Sequence, residues 1–430
     1  MASLSRTVSP IVVGALFGLS LAASPARAQA PAASLEVVGF DDAVRRAIQA
    51  NLTVERASTA VLGAEALLAQ ARAAVRPTAG GTAVVTVLDN ERGFSGNVVQ
   101  PRTQLTLGGT VEVPVLAASQ WAARTQAADQ VAIAKINVAE IRRQVGVAAA
   151  QAYLQVITAK RQVEVNERAR DTARAQLEYA TARREGGVGS RLNEERAAQE
   201  LAVNEELVER SRLSVMLGQE ALGRLLVVDH AVDVAGAPAL ETPAEDGAAW
   251  WTARTDIQLF DARIDAQTRV VNDSGRDWVP SVAASFRPQY ITPAGLFAPA
   301  ATWTALLSAN IPLWDSGQRR ALKARRQADL SLFQVDRRDA EVSVKSEARI
   351  ARVTIDAEAR ALERSREAAT HAAEVLRITD VAFRAGATTN IELVDAQRRS
   401  RDAESAVTLA EDRARSARLA LLVALGRFPG

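Results

Sequence analysis

Proline cannot sit inside an α-helix without removing a hydrogen bond and clashing with the preceding turn, and this chain keeps its prolines to a few places. None occurs between Pro114 and Pro238, or between Pro312 and Pro429. Two stretches of about 120 residues are therefore free to be helical, and both are rich in Ala, Arg, Glu, Gln and Leu, the strong helix formers. Each stretch carries a glycine-centred interruption, Glu185-Gly186-Gly187-Val188-Gly189-Ser190 in the first and Ala385-Gly386-Ala387-Thr388-Thr389-Asn390 in the second. No other glycine lies between Gly317 and Gly426, so Gly386 marks a helix end. Each stretch is expected to form a helical hairpin.

Where the prolines cluster, the hydrophobic period changes from that of a helix to two. Thr82, Val84, Thr86 and Leu88 alternate with Ala83, Val85 and Val87. Further on, Leu105, Leu107, Gly109, Val111 and Val113 alternate with Gln104, Thr106, Gly108, Thr110 and Glu112. The pattern returns with Val282, Ala284, Phe286, Pro288 and Tyr290 on one strand and Trp303, Ala305, Leu307, Ala309 and Ile311 on another. Four strands are expected, each of about ten residues, the length a tilted membrane strand requires. The connections from Asn90 through Asn97 onward and from Thr292 to Pro299 read as loops.

Composition removes several alternatives. The chain has no cysteine and 2 His, so it holds no disulfide framework, zinc-thiolate site, cysteine nucleophile or acylated lipoprotein cysteine. No phosphate loop, nucleophile elbow or metal-ligand spacing occurs, and neither an enzyme nor a cofactor is expected. His230 and His371 stand alone in sequence and read as structural or solvated. Residues 1–28 read as a cleaved signal peptide, with a short apolar core after Arg6 and the small-x-small site Ala26-Arg27-Ala28. Lys and Arg number 52 against 50 Asp and Glu, and two of the cations, Arg6 and Arg27, fall in that leader. A balanced mature chain gives no electrostatic case for nucleic acid.

The two halves carry corresponding parts in the same order, with Val113-Pro114 matching Ile311-Pro312 as strand exits and the two glycine turns matching each other. This reads as a duplicated unit: a first repeat at 29–227, a connector at 228–249 packed around the middle of the long helices, and a second repeat at 250–430. Trp250-Trp251 is expected to pack at the connector. From strand exit to turn, each half has about 70 residues, a helix of roughly 100 Å. The return helix is about half as long and is extended by the next initial helix. Four strands cannot close a barrel, and open edges in lipid cost several kcal/mol per unpaired group. Three copies would supply twelve strands and twelve helical columns.

The duplicated order, the proline exits with Leu313-Trp314-Asp315-Ser316-Gly317 following, and the turn Gly386-Ala387-Thr388-Thr389-Asn390-Ile391-Glu392-Leu393-Val394-Asp395-Ala396 together resemble the TolC-type outer-membrane efflux proteins. The resemblance implies a mostly α-helical protein that trimerises into a 12-strand β-barrel continued by an α-helical barrel. It implies an exit duct in outer-membrane lipid, working with a periplasmic adaptor and an inner-membrane transporter in efflux or type I secretion. A periplasmic coiled-coil adaptor is the competing reading of the hairpins, disfavoured by the duplication and the four strands.

The same resemblance puts Glu392 and Asp395, three residues apart on one helix face, at the periplasmic constriction, where rings of acid would favour cations. Thr388 stands where the family's best-known member has an arginine, so that part of its gate-locking network does not carry over. Gly187, Val188, Gly189, Ser190 and Arg191, with Gly386, Ala387, Thr388, Thr389 and Asn390, would be the tips that meet the adaptor. Ser190 and Thr389 also suit helix N-caps. Trp278, Trp303 and Trp314 lie near strand ends, where an indole suits the membrane interface.

Overall fold

The computed structural model describes residues 35–242, 247, 249–294 and 299–429. The expected leader and the tip of the second inter-strand loop, 295–298, lie outside the described residues. The chain is built mainly of α-helices: α1 (Phe40–Ala50), α2 (Leu52–Ala73), α3 (Ala118–Glu185), α4 (Arg191–Leu226), α5 (Thr255–Asn272), α6 (Gln318–Arg384) and α7 (Asn390–Ala424). The two proline-free stretches hold α3 with α4 and α6 with α7, each pair packed along its length. At 68 and 67 residues, α3 and α6 are each about 100 Å long, and α4 and α7, at 36 and 35 residues, cover about half of that. The remaining length is flanked by α2 against α3 and by α5 against both α3 and α6.

The initial helices are not continuous, as the simple count expected. Asn51 separates α1 from α2: its side-chain oxygen accepts from Thr53 N at 2.9 Å and its amide donates to Leu225 O at 3.2 Å. A buried asparagine that caps one helix while bonding a distant carbonyl fixes a bend that the apolar pattern does not register. In the second half α5 has 18 residues, and 3₁₀ turns flank it at Trp250–Ala253 and Asp273–Trp278.

The main buried cluster sits at mid-length of α3. Val145, Ala149, Ala152 and Val156 recur at helical spacing, and Tyr153 and Leu154 fill the layer beside them. Against this cluster two short strands, β1 (Glu36–Val38) and β6 (Val232–Val234), pair in parallel. The Tyr153 hydroxyl lies 3.3 Å from Val38 O and 3.0 Å from Gly236 O, joining both strands to α3. Three-residue strands carry no readable period, so the connector appears in sequence only as irregular chain. Trp250 and Trp251 meet edge to face at 6.1 Å; Trp250 packs on the cluster of Ala348, Ala351, Leu421, Ala424 and Leu425, and Lys345 Nζ sits 3.9 Å over Trp251.

Four long strands, β2 (Thr78–Val87), β5 (Thr103–Leu116), β7 (Ser281–Thr292) and β8 (Ala301–Asn310), form one antiparallel sheet in the order β2-β5-β7-β8. The segment 90–97, expected as a loop, instead folds into a small hairpin of β3 (Arg92–Phe94) and β4 (Asn97–Gln100). Its two turn residues, Ser95 and Gly96, have φ of 52° and 83°, the left-handed pair that a tight hairpin requires. Pro114 does not end β5, which continues to Leu116 with a register irregularity. The proline is tolerated because β2 pairs no further than Glu112, leaving that side of β5 an edge. Pro288, inside β7, is accommodated differently. The β5–β7 ladder has no pairs between Gly108 and Val111, and a Cβ on Gly109 would lie 3.2 Å from the Pro288 ring, so glycine makes room for it.

Candidate functional site

The register decides what the alternating strands do. With Thr106 opposite Ile291, Val111 opposite Phe286 and Ala284 opposite Leu307, the apolar sets of all four strands fall on the same face. That face carries Ala79, Gly81, Ala83, Val85 and Val87; Leu105, Leu107, Gly109, Val111 and Val113; Val282, Ala284, Phe286, Pro288 and Tyr290; and Ala301, Trp303, Ala305, Leu307 and Ala309. The opposite face carries Thr78, Gly80, Thr82, Val84 and Thr86; Gln104, Thr106, Gly108, Thr110 and Glu112; Ser281, Ala283, Ser285, Arg287 and Gln289; and Thr302, Thr304, Leu306, Ser308 and Asn310. Among the described residues nothing covers the apolar face: Val85, Val87, Trp303 and Leu307 are exposed. The outer strands β2 and β8 each keep an unpaired edge.

At the other end of the helices the two glycine turns come together. Gly187 and Gly386 have φ of 73° and 77°, the left-handed conformation that closes a helix C-terminus. Gly189 is demanded by packing, since a Cβ there would stand 2.7 Å from Arg184 N. Ser190 accepts from Asn193 N at 3.3 Å, and Thr389 forms a reciprocal capping box with Glu392. Val188 and Arg191 are exposed, Gly386 and Ala387 likewise, and Thr388 is half-buried. Asn390 departs from this outward set. It is 3% exposed, accepts from Gln176 Nε2 at 3.2 Å and reaches Asn193 O at 3.5 Å, so it ties the second turn to α3 and the start of α4. Tyr179 and Phe383 meet edge to face at 5.9 Å beside it.

Glu392 and Asp395 both point away from the buried face of α7 formed by Leu393, Ala396 and Ser400. Glu392 accepts from Thr389 N at 3.1 Å, and Asp395 pairs with Arg399 at 2.9 Å in an exposed i,i+4 bridge of small energetic weight. On the inner side, a polar junction escaped the sequence reading. Glu200 on α4 is 2% exposed and receives Arg398 at 2.6 Å, with Arg401 between Glu200 and Asn204. The Glu200 carboxylate raises the Arg398 guanidinium further above its ordinary range. Charged residues abound on every helix, so nothing in the sequence marks this pair.

The three tryptophans lie at the ends of the sheet. Trp303 is the third residue of β8, 6.0 Å from the Phe286 ring; Trp278 precedes β7 with the Arg319 guanidinium 5.1 Å over it; Trp314 follows β8 and is 85% exposed. His230 bonds Glu36 Oε2 at 3.1 Å, and His371 is exposed. Among the described residues no helix is long and apolar enough to cross a membrane, and no cluster of residues suited to a metal occurs.

An uncovered sheet with one greasy face, joined to hairpins about 100 Å long, narrows the relatives this chain can have. Residues 252–427 match the outer membrane efflux protein family. The whole described fold is similar to the CmeC outer membrane channel of Campylobacter jejuni, with a TM-score of 0.78 at 13% identity over 90% of this chain and 85% of that one. It is likewise similar to the MtrE outer membrane channel of Neisseria gonorrhoeae in its open state, with a TM-score of 0.75 at 18% identity over 90% and 88% of the two chains. The outer membrane protein VceC of Vibrio cholerae has a TM-score of 0.73 at 18% identity over 90% and 96%. No curated protein matches the sequence significantly.

Proposed function

We propose that this chain is the outer-membrane exit duct of a tripartite efflux or type I secretion system, working with a periplasmic adaptor and an inner-membrane transporter. The observation that carries the reading is the four-stranded sheet whose register gathers the apolar sets of all four strands on one face, with Thr103 and Thr292 at its far end, and leaves a mostly polar set on the other. Such a sheet is stable in lipid with its apolar face outward and its polar face on water, and with no edge left open. Three copies, joined edge to edge through β2 and β8, make a closed barrel of twelve strands, and their hairpins continue it as a helical tunnel across the periplasm.

In this assembly the chain divides into a signal peptide (1–28), two duplicated repeats (29–227 and 250–430) and the connector 228–249 at the tunnel's equator. Trp303 marks one membrane interface, and Trp278 with Trp314 the other. The turn residues Gly187, Val188, Gly189, Ser190, Arg191, Gly386, Ala387, Thr388 and Thr389 face the adaptor, with Asn390 fixing the second tip from inside. Glu392 and Asp395 line the narrow periplasmic end.

The test is the native mass of the protein extracted from outer-membrane fractions in mild detergent and corrected for bound detergent. A mass near three chains is expected. A water-soluble monomer recovered without detergent would overturn the reading, because the apolar face would then never enter lipid.

A further inference from the structure

The four spanning strands hold two charged residues, Glu112 on β5 and Arg287 on β7, and both fall on the polar face. A charge in a spanning strand is expensive unless it faces water or a partner, so each has a reason to be there. Glu112 sits opposite Ser285 in the ladder, and Arg287 lies one same-face step further from the helices. At about 3.4 Å per residue, that step is roughly 7 Å along the strand. Both side chains are exposed, and no ion pair joins them to each other or to another described residue.

The surroundings of Arg287 set it apart. Its partner on β8 is Thr304, and on β5 its neighbours are Gly108 and Thr110, with Gly80 opposite Thr110 on β2. Glycine and threonine lie directly across from it on both sides, and among the described residues no hydrogen bond or ion pair holds its guanidinium. The ladder gap beside Pro288 places this residue where the two strands are not pinned by hydrogen bonds.

Resting on the duct reading, we infer that Arg287 is the anion-contacting group of the barrel lumen, with Glu112 as an opposing acidic tier toward the helical tunnel. Three copies form a ring of guanidinium groups over a ring of carboxylates. The upper ring attracts small anions and the anionic groups of passing solutes, and the lower ring offsets it for cations. The wall then discriminates by charge at the membrane as well as at the periplasmic end.

The chain has no native cysteine, so single cysteines report cleanly on exposure. In intact outer membranes, Arg287→Cys and Glu112→Cys are expected to react with a charged, membrane-impermeant thiol reagent applied outside, whereas Phe286→Cys, on the apolar face, stays protected. In planar bilayers with a KCl gradient, Arg287→Ala is expected to lower the chloride-to-potassium permeability ratio about threefold and Glu112→Ala to raise it by a similar factor. The double variant returns close to the parent. Equal labelling at 286 and 287, or protein absent from the outer membrane, would overturn the duct reading itself. Protection of 286 with labelling of 287 but unchanged permeability ratios in both alanine variants would leave the duct intact and overturn the role given to Arg287 and Glu112.

Discussion

Glu392 illustrates how one side chain can serve two ends. Its carboxylate closes the capping box with Thr389 while it projects from the exposed side of α7 with Asp395. Alanine there would remove both the charge and the cap, and the cap alone is worth about 1 kcal/mol. Glutamine keeps the box, because its carbonyl accepts the same bond. The pair Glu392→Gln with Asp395→Asn is therefore expected to lower cation selectivity in bilayer recordings while melting stays near that of the parent; unchanged selectivity would remove both residues from the constriction. Glu140 shows the opposite balance, a buried carboxylate with a structural role. Burial pushes its pKa up, but hydrogen bonds from Arg143, Thr255 and Gln144 outweigh that and hold it below the ordinary value of 4.5. A group with a lowered folded pKa stabilises fully above its unfolded value and loses that contribution as pH falls through the folded one. Glu140→Gln is expected to cost roughly 1.5–3 kcal/mol at neutral pH, and thermal melting should show the gap closing below about pH 4.5. A gap independent of pH would mean that the carboxylate's charge contributes nothing.

At the scale of elements, the hairpins were readable and their joints were not. Leu-, Ala- and Arg-rich runs free of proline give α3 and α6, and Gly187 and Gly386 stop them where only a left-handed residue completes the turn. The break at Asn51 is marked locally only by one asparagine that caps α2, and what fixes its angle is a bond to chain far away, from the Asn51 amide to Leu225 O. The tips were legible as turns, yet the inward turning of Asn390 was not, since its partner Gln176 lies 214 positions away. If the tips meet an adaptor, Ala387→Arg places a bulky charge on the exposed turn without touching the Asn390 anchor. It is expected to abolish site-specific crosslinking to the adaptor while leaving the mass of the assembly unchanged. Retained crosslinking would show that the tips are caps and nothing more.

For the whole molecule, a single chain leaves two kinds of surface unsatisfied. Among the described residues no strand pairs with the outer edges of β2 and β8, and none covers the sheet's apolar face. Water is a poor solvent for the face, and lipid is a poor solvent for the edges. Lipid on one side and neighbouring copies at both edges satisfy the two demands together, which is the physical basis of the proposed trimer. The native mass of the assembly is thus the measurement on which the proposed trimer, and every residue role that rests on it, depends.

Pattern alone determined the long helices and the four long strands, because proline, glycine and hydrophobic period act within a few residues of chain; the short strands β1, β3, β4 and β6 lay below its reach. It also determined that the strands are two-faced, since alternation is written into each one. Tertiary structure decided whether those faces agree. A slip of one residue between β5 and β7 would have turned one strand's apolar set toward the polar face, and the register that prevents this, with Gly109 yielding to Pro288, exists only between strands about 180 residues apart. The same holds for β1 with β6, for Asn390 with Gln176, and for Glu200 with Arg398. Each is a pairing of residues whose separate identities are unremarkable, and only the fold brings them within bonding distance.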